Sequence, residues 1–141
     1  MKTLLFSLKP QLLLLALGIF VFASTTNMAC SPKFDQMGVD NVKNISTKVT
    51  GLMGKATGPY NESAAADLLS DLDKAQTHAA GIKGNKSIAE SWKVLKDELV
   101  APFLMKWKEK GKLDAPFVKE ATAQVVKSLD AIKKAEMGKK K

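Results

Sequence analysis

The chain has 141 residues and a net charge of +8, and all 22 of its basic residues are lysine. The planar guanidinium group of arginine forms bidentate hydrogen bonds with phosphates and base edges, so the absence of arginine argues against sequence-specific nucleic-acid binding. One cysteine and one histidine cannot supply the four ligands of a structural zinc site. We therefore expect no nucleic-acid partner, no structural metal and, since no nucleophile–base–acid arrangement is visible, no enzyme activity.

The first 29 residues have the three-part form of an export signal. Lys2 and Lys9 give a positive start, residues 12–23 form an apolar stretch, and small polar residues follow it. Export signals carry an apolar region of about 7–15 residues, whereas a membrane-spanning helix needs roughly 20. This pattern predicts that residues 1–29 direct the protein out of the cytoplasm.

The only cysteine of the chain, Cys30, directly follows this segment. The stretch Met28-Ala29-Cys30 resembles the lipobox of bacterial lipoproteins, although Asn27 stands where the family usually has an aliphatic residue. The resemblance implies cleavage before Cys30, acylation of that cysteine and an anchor in the cell envelope facing the periplasm. Ser31, rather than aspartate, implies the outer more than the inner membrane. The alternative is a secreted, unlipidated protein, in which a lone exported thiol would have no disulfide partner.

Apolar residues recur at helical spacing in four segments of the remaining chain. The segments cover residues 35–56, 62–83, 87–111 and 114–136, and glycine or proline separates each from the next. Ser87 and Glu90 form a capping-box pattern at the start of the third segment. Pro102 interrupts this segment, and we expect a kink near residues 99–102 because proline removes a helical hydrogen bond.

These segments predict an all-α fold, an antiparallel up-down four-helix bundle whose third helix is kinked near Pro102. The expected organisation is a signal over residues 1–29, a lipid attachment and tether over 30–34, a bundle over 35–136 and a basic tail over 137–141. In such a bundle the start of the first helix, the loop at 83–87 and the C-terminus share one end.

Two clusters of lysine are candidate contact surfaces. If Cys30 is lipidated, the shared end lies at the membrane, where each lysine near an anionic surface contributes up to about 1 kcal/mol. The lysines predicted to contact the headgroups are Lys83, Lys86, Lys133, Lys134, Lys139, Lys140 and Lys141. At the opposite end Lys106, Trp107 and Lys108 are predicted to contact a protein partner. The plainer interpretation is a helix end whose tryptophan packs while its lysines stay in water.

His78, the only histidine, lies beside the apolar stripe of the second segment. In exported four-helix bundles that carry haem, a histidine and a methionine bind the iron, and Met37, Met53 and Met105 are candidate partners. Those cytochromes carry their histidine on the last helix, whereas His78 lies on the second, and the covalent haem-attachment motif is absent, so we expect no cofactor. The sequence therefore favours a membrane-anchored structural or adaptor lipoprotein. A carrier of haem or an apolar ligand, opened by a third helix loosened at Pro102, is the alternative.

Overall fold

The computed structural model describes residues 33–139, and over this range the chain is all-α, as predicted. The helices are α1 (Gln36–Met53), α2 (Glu62–Gly81), α3 (Lys86–Val94), α4 (Ala101–Lys110) and α5 (Ala115–Met137). A π-helical stretch, Leu95–Val100, joins α3 to α4, so the chain is helical from 86 to 110. The export signal, Cys30, Lys140 and Lys141 lie outside the described residues.

Short polar side chains fix where the first two helices begin. Asp35 Oδ1 accepts a hydrogen bond from the Met37 amide at 3.1 Å, and Asn61 Oδ1 accepts one from the Ala64 amide at 3.0 Å. These bonds satisfy amide groups that the first turn of a helix leaves without a partner. The third helix differs from the sequence-based prediction, because α3 begins at Lys86 and Ser87 lies within it.

The helices pack as the apolar stripes require. α1 lies against α2 and α5, α2 lies against α3, and α5 lies against α3 and the π-helical stretch. Each helix therefore turns its apolar stripe toward a shared core. The largest fully buried apolar side chains are Trp92, Trp107, Met53, Leu68, Leu72, Leu95, Leu129 and Ile132.

The π-helical stretch lies immediately before Pro102. The Ala101 amide donates to the Lys96 carbonyl, five residues back, and Pro102 has no amide proton to donate. The wider turn moves the buried face by one residue. Leu95 and Val100 are fully buried while Leu99 is half-buried, whereas a regular helix would bury Leu99.

Polar contacts bring the helix termini together in two groups, which we call the proximal and distal ends. The proximal end comprises residues 33–38, 78–86 and 133–139, and a bond between His78 and Asp35 joins α2 to the start of α1. The distal end comprises residues 54–62 and 106–118, where the Leu113 amide donates to the Ala56 carbonyl at 2.7 Å. The proximal end is the one that directly follows the predicted tether.

Candidate functional site

A polar cluster lies at the proximal end, beginning with Asp35 and His78. The Nε2 atom of His78 lies 2.7 Å from Asp35 Oδ2, and both side chains are more than two-thirds buried. Asp35 also accepts the hydrogen bond that caps α1. One carboxylate therefore fixes the start of α1 and ties it to the last turn of α2.

Glu136 and Lys139 form a buried ion pair next to this cluster. Their side chains are only 1% and 2% exposed, and Lys139 Nζ donates to Glu136 Oε2. The Glu136 carboxylate approaches α1 at Gly38, where an added Cβ would lie 2.7 Å from Glu136 Oε1 and 2.8 Å from Asp35 Oδ2. The absence of a side chain at Gly38 therefore creates the space that the two carboxylates share.

Three buried side-chain polar atoms in the described range make no hydrogen bond to the protein, and all three belong to the proximal end. They are Glu136 Oε1 and the Oδ1 and Nδ2 atoms of Asn85, a residue with no exposed surface. Buried polar groups normally have a partner, because leaving one unpaired costs about 1–3 kcal/mol. Within the described residues, the buried side-chain atoms that lack a protein partner are therefore concentrated in the interior of the proximal end.

The outer surface of the proximal end is basic. Lys33, Lys83, Lys86, Lys133 and Lys134 are exposed, and none forms an ion pair with the residues that the structure describes. The nearby carboxylates of Asp35 and Glu136 are turned inward and already paired. Asp35 and Glu136 therefore do not neutralise the ammonium groups on this surface.

Lys139 does not belong to this basic surface. Its ammonium group is buried against Glu136, whereas a headgroup contact would require it to reach water. The predicted contact of Lys139 with lipid headgroups is therefore wrong, because Lys139 pairs with the inward-facing carboxylate of Glu136. The predictions for Lys83, Lys86, Lys133 and Lys134 are compatible with their exposure but are not tested by it.

The predicted contact of Trp107 with a partner protein is also wrong, because the side chain is fully buried. Its Nε1 atom donates to the Gly58 carbonyl at 2.8 Å, and its ring meets Tyr60 edge-on at 5.2 Å. The neighbouring Lys108 is paired with Glu62 at 2.6 Å. That hydrogen bond lowers the pKa of the Glu62 carboxyl and raises the pKa of the Lys108 ammonium.

A hollow opens at the distal end beside these residues. It is lined by Lys106, Lys110, Lys112, Leu113, Asp114 and Phe117. The Lys106 ammonium lies 3.9 Å from the centroid of the Phe117 ring, a cation–π contact, and the Phe117 ring stacks on Phe103 at 6.0 Å. Of the predicted partner contacts, only Lys106 lines this hollow.

Ion pairs also connect the middle of the helices. Lys48 and Lys74 both bond to Asp71, and the hydrogen bond from Lys48 is the main reason why the pKa of Asp71 is lowered. Lys96 bonds to Asp73 at 2.5 Å, which raises the pKa of the Lys96 ammonium. These carboxylates are occupied by lysine, so they do not form an acidic site for a cation.

The surroundings of His78 do not favour its role as a haem ligand. Its Nε2 atom is engaged with Asp35, Met53 is buried at the distal end of α1, and Met37 and Met105 are exposed. Residues 33–139 contain no group of three or more histidine, cysteine or acidic side chains suited to a metal ion. Within the same range no helix has the length and apolar character needed to cross a membrane.

Most of the residues that build the two ends are not marked by any pattern in the sequence. Asp35, Asn85 and Glu136 are polar residues near helix termini, and no local pattern marks them as buried. Gly38 is the exception. It continues the apolar stripe of Val42 and Ile45, and a glycine in a buried stripe indicates that another segment of the protein approaches α1 closely.

Comparison of the chain with protein-family models, with curated proteins and with solved structures finds no match. The function therefore has to be inferred from the residues of this chain and their geometry.

Proposed function

We propose that the protein is a small lipoprotein of the bacterial cell envelope, anchored through Cys30 and facing the periplasm, on the outer membrane rather than the inner. It acts by contact, as a structural or adaptor module without catalysis. The observation that carries the proposal is the placement of the unpaired lysines. α1 begins at Gln36, six residues after Cys30, and the end of the domain nearest that cysteine has a basic outer surface.

The tether is too short to separate the domain from a membrane. Five residues lie between Cys30 and Gln36, and an extended chain covers at most about 3.5 Å per residue, so the gap is below roughly 20 Å. Lys83, Lys86, Lys133 and Lys134 are then held close to the lipid headgroups. Each contributes up to about 1 kcal/mol at an anionic surface, in addition to the insertion of the acyl chains.

The orientation depends on a second part of the proposal, that the four helical segments form an antiparallel up-down bundle, with the third bent at Pro102. Support comes from the polar contacts that pair the termini. His78 at the end of α2 meets Asp35 at the start of α1, and Leu113 before α5 meets Ala56 after α1. In such a bundle the distal end points into the periplasm, away from the membrane, where a partner protein can reach it.

Mass spectrometry of the protein purified from its own membranes tests the anchor. The expected product is a chain that starts at Cys30 and carries the mass of diacylglycerol and an additional acyl chain. The matched variant Cys30→Ser is expected to leave the membrane fraction. A bare chain with a free thiol, or a chain that retains Met1, would exclude the lipoprotein.

Binding to anionic vesicles tests the lysine surface separately. Replacement of Lys83, Lys86, Lys133 and Lys134 by glutamine is expected to weaken vesicle binding of the Cys30→Ser protein. The control removes the same number of charges and replaces Lys43, Lys93, Lys119 and Lys127, which are exposed on α1, α3 and α5 and lie outside both ends. Equal losses in the two variants would mean that net charge, and not the proximal surface, determines membrane binding.

A further inference from the structure

The hollow at the distal end concentrates positive charge. Lys106 and Lys110 are one helical turn apart on α4, and Lys112 follows Gly111, whose φ of +75° turns the chain back beside them. Such a backbone conformation is readily adopted by glycine and rarely by other residues. The turn therefore places a third ammonium group at the same hollow.

These three ammonium groups are not neutralised within the described chain. Lys106, Lys110 and Lys112 are exposed and form no ion pair there, in contrast to Lys108, which is bonded to Glu62. Asp114 is the single acidic residue lining the hollow. Like charges one turn apart repel each other, so the free protein carries an unfavourable cluster that an anionic ligand would relieve.

Two apolar side chains also line the hollow. Leu113 and Phe117 lie among the lysines, and Phe117 is held in place by its stacking on Phe103 and by the Lys106 ammonium at 3.9 Å. A site for a simple inorganic anion would need only charge. An aromatic ring amid three cations suits an occupant that has carboxylates together with an apolar side chain.

We propose that this hollow docks an acidic peptide segment of a partner protein, a segment whose carboxylates pair with Lys106, Lys110 and Lys112 and whose apolar side chain packs on Phe117. This inference rests on the proposed function, because it names the chemistry of the partner that the adaptor contacts. A lipid surface is disfavoured as the occupant, because the predicted anchor holds the opposite end of the domain at the membrane. Nucleic acid is disfavoured because the chain has no arginine.

Fluorescence anisotropy with the mature protein in a nonionic detergent tests the proposal. The probe is a fluorescein-labelled peptide of about 12 residues, half of them glutamate, with a central phenylalanine. A second peptide replaces every glutamate by glutamine. The test variant carries Lys106→Gln, Lys110→Gln and Lys112→Gln, and the control variant, with the same net charge, carries Lys43→Gln, Lys93→Gln and Lys127→Gln.

The acidic peptide is expected to bind the wild type and the control variant equally. The test variant is expected to bind about tenfold more weakly, since each exposed ion pair contributes a factor of roughly 1.4 to 5. Phe117→Leu keeps an apolar side chain but removes the ring, and is expected to weaken binding about threefold. Binding of the acidic peptide is expected to fall as salt is added, and binding of the glutamine peptide to be weak throughout.

Four outcomes would overturn the proposal. The first three are equal binding of the acidic peptide by the test variant, an equal loss of binding in the control variant, and equal binding of the glutamine peptide. Displacement of the peptide by anionic vesicles through the same three lysines, measured without detergent on the Cys30→Ser protein, would also overturn it, and would indicate a second lipid contact. Failure of the proposed lipid anchor can be distinguished from failure of the proposed docking site. A protein with an unmodified Cys30 that still binds the peptide through these lysines would retain the docking site and lose only the lipid.

Discussion

Gly38 permits the close contact between α1 and Glu136, so Gly38→Ala perturbs the polar cluster directly. The added Cβ would lie 2.7 Å from both Cδ and Oε1 of Glu136 and 2.8 Å from Asp35 Oδ2, closer than such atoms can remain. One or both carboxylates must therefore move. Gly51, in the same helix, has no atom within 4 Å of an added Cβ and provides the matched control.

The two substitutions should have opposite effects on the free energy of unfolding. Alanine is favoured over glycine within a helix by up to about 1 kcal/mol, so Gly51→Ala is expected to stabilise the protein by about 0.5–1 kcal/mol. At Gly38 the same gain is offset by overpacking, which costs about 1–3 kcal/mol, and by displacement of Glu136 from the buried Lys139. Gly38→Ala is therefore expected to destabilise by about 1–3 kcal/mol.

Thermal unfolding followed by circular dichroism measures the difference. For a domain of about 100 residues, 1 kcal/mol shifts Tm by about 4–8 °C, so the two variants should differ by about 10 °C or more. A double-mutant cycle with Glu136→Ala isolates the contact. Once Glu136 is truncated, Gly38→Ala should stabilise the protein as Gly51→Ala does.

The result that would refute this reasoning is an equal rise in Tm for Gly38→Ala and Gly51→Ala in the wild-type background. Glu136 would then be able to leave α1 without cost, and its contact at Gly38 would not hold α5 to the start of α1. If Gly38→Ala still lowers Tm in the Glu136→Ala background, the destabilisation would instead come from the contact with Asp35.

Three further substitutions test the other polar contacts. Asn85→Leu removes two buried atoms that have no protein partner, and should raise the free energy of unfolding in urea by about 1 kcal/mol; a decrease would mean that the amide is bonded to something else. Asp71→Asn should lower stability by about 0.5–1 kcal/mol at pH 7. Because Lys48 lowers the pKa of Asp71, this contribution is present above the unfolded-state pKa and is lost as the pH falls through the lowered value, so the two proteins should converge in acid. Trp107→Phe leaves the Gly58 carbonyl without its donor and should cost about 1–2 kcal/mol, measured by urea unfolding, whereas an unchanged midpoint would mean that water replaces the indole.

Helical periodicity was sufficient to predict the fold class and most of the core. Val42, Ile45 and Val49, spaced by three and four residues, are all buried, as expected for one face of a helix. The same rule is confirmed only in part at Leu99, which packs against the core but is half-buried, because the rule assumes a constant number of residues per turn. The π-helical stretch before Pro102 inserts one residue and buries Val100 fully.

The polar clusters were harder to predict because their members are distant in the sequence. Asp35 and His78 are 43 residues apart, and only the packing of α1 on α2 brings them together. Local patterns assigned Lys139 to an exposed tail and weighed His78 as a haem ligand, since nothing near either residue indicates a buried carboxylate. Trp107 was more predictable, because it lies four residues after Phe103 and continues the buried face of the third segment.

The distribution of paired and unpaired lysines connects the two proposals. Lys48, Lys74 and Lys96, near the middle of the helices, pair with carboxylates on α2. Four lysines at the proximal end (Lys83, Lys86, Lys133 and Lys134) and three at the distal end (Lys106, Lys110 and Lys112) form no ion pair with the described residues, in contrast to Lys108 and Lys139. Unpaired ammonium groups at the proximal end fit a membrane surface, and those at the distal end, arranged around Phe117, fit an acidic protein segment. The two ends would then let one short chain connect a membrane to a partner.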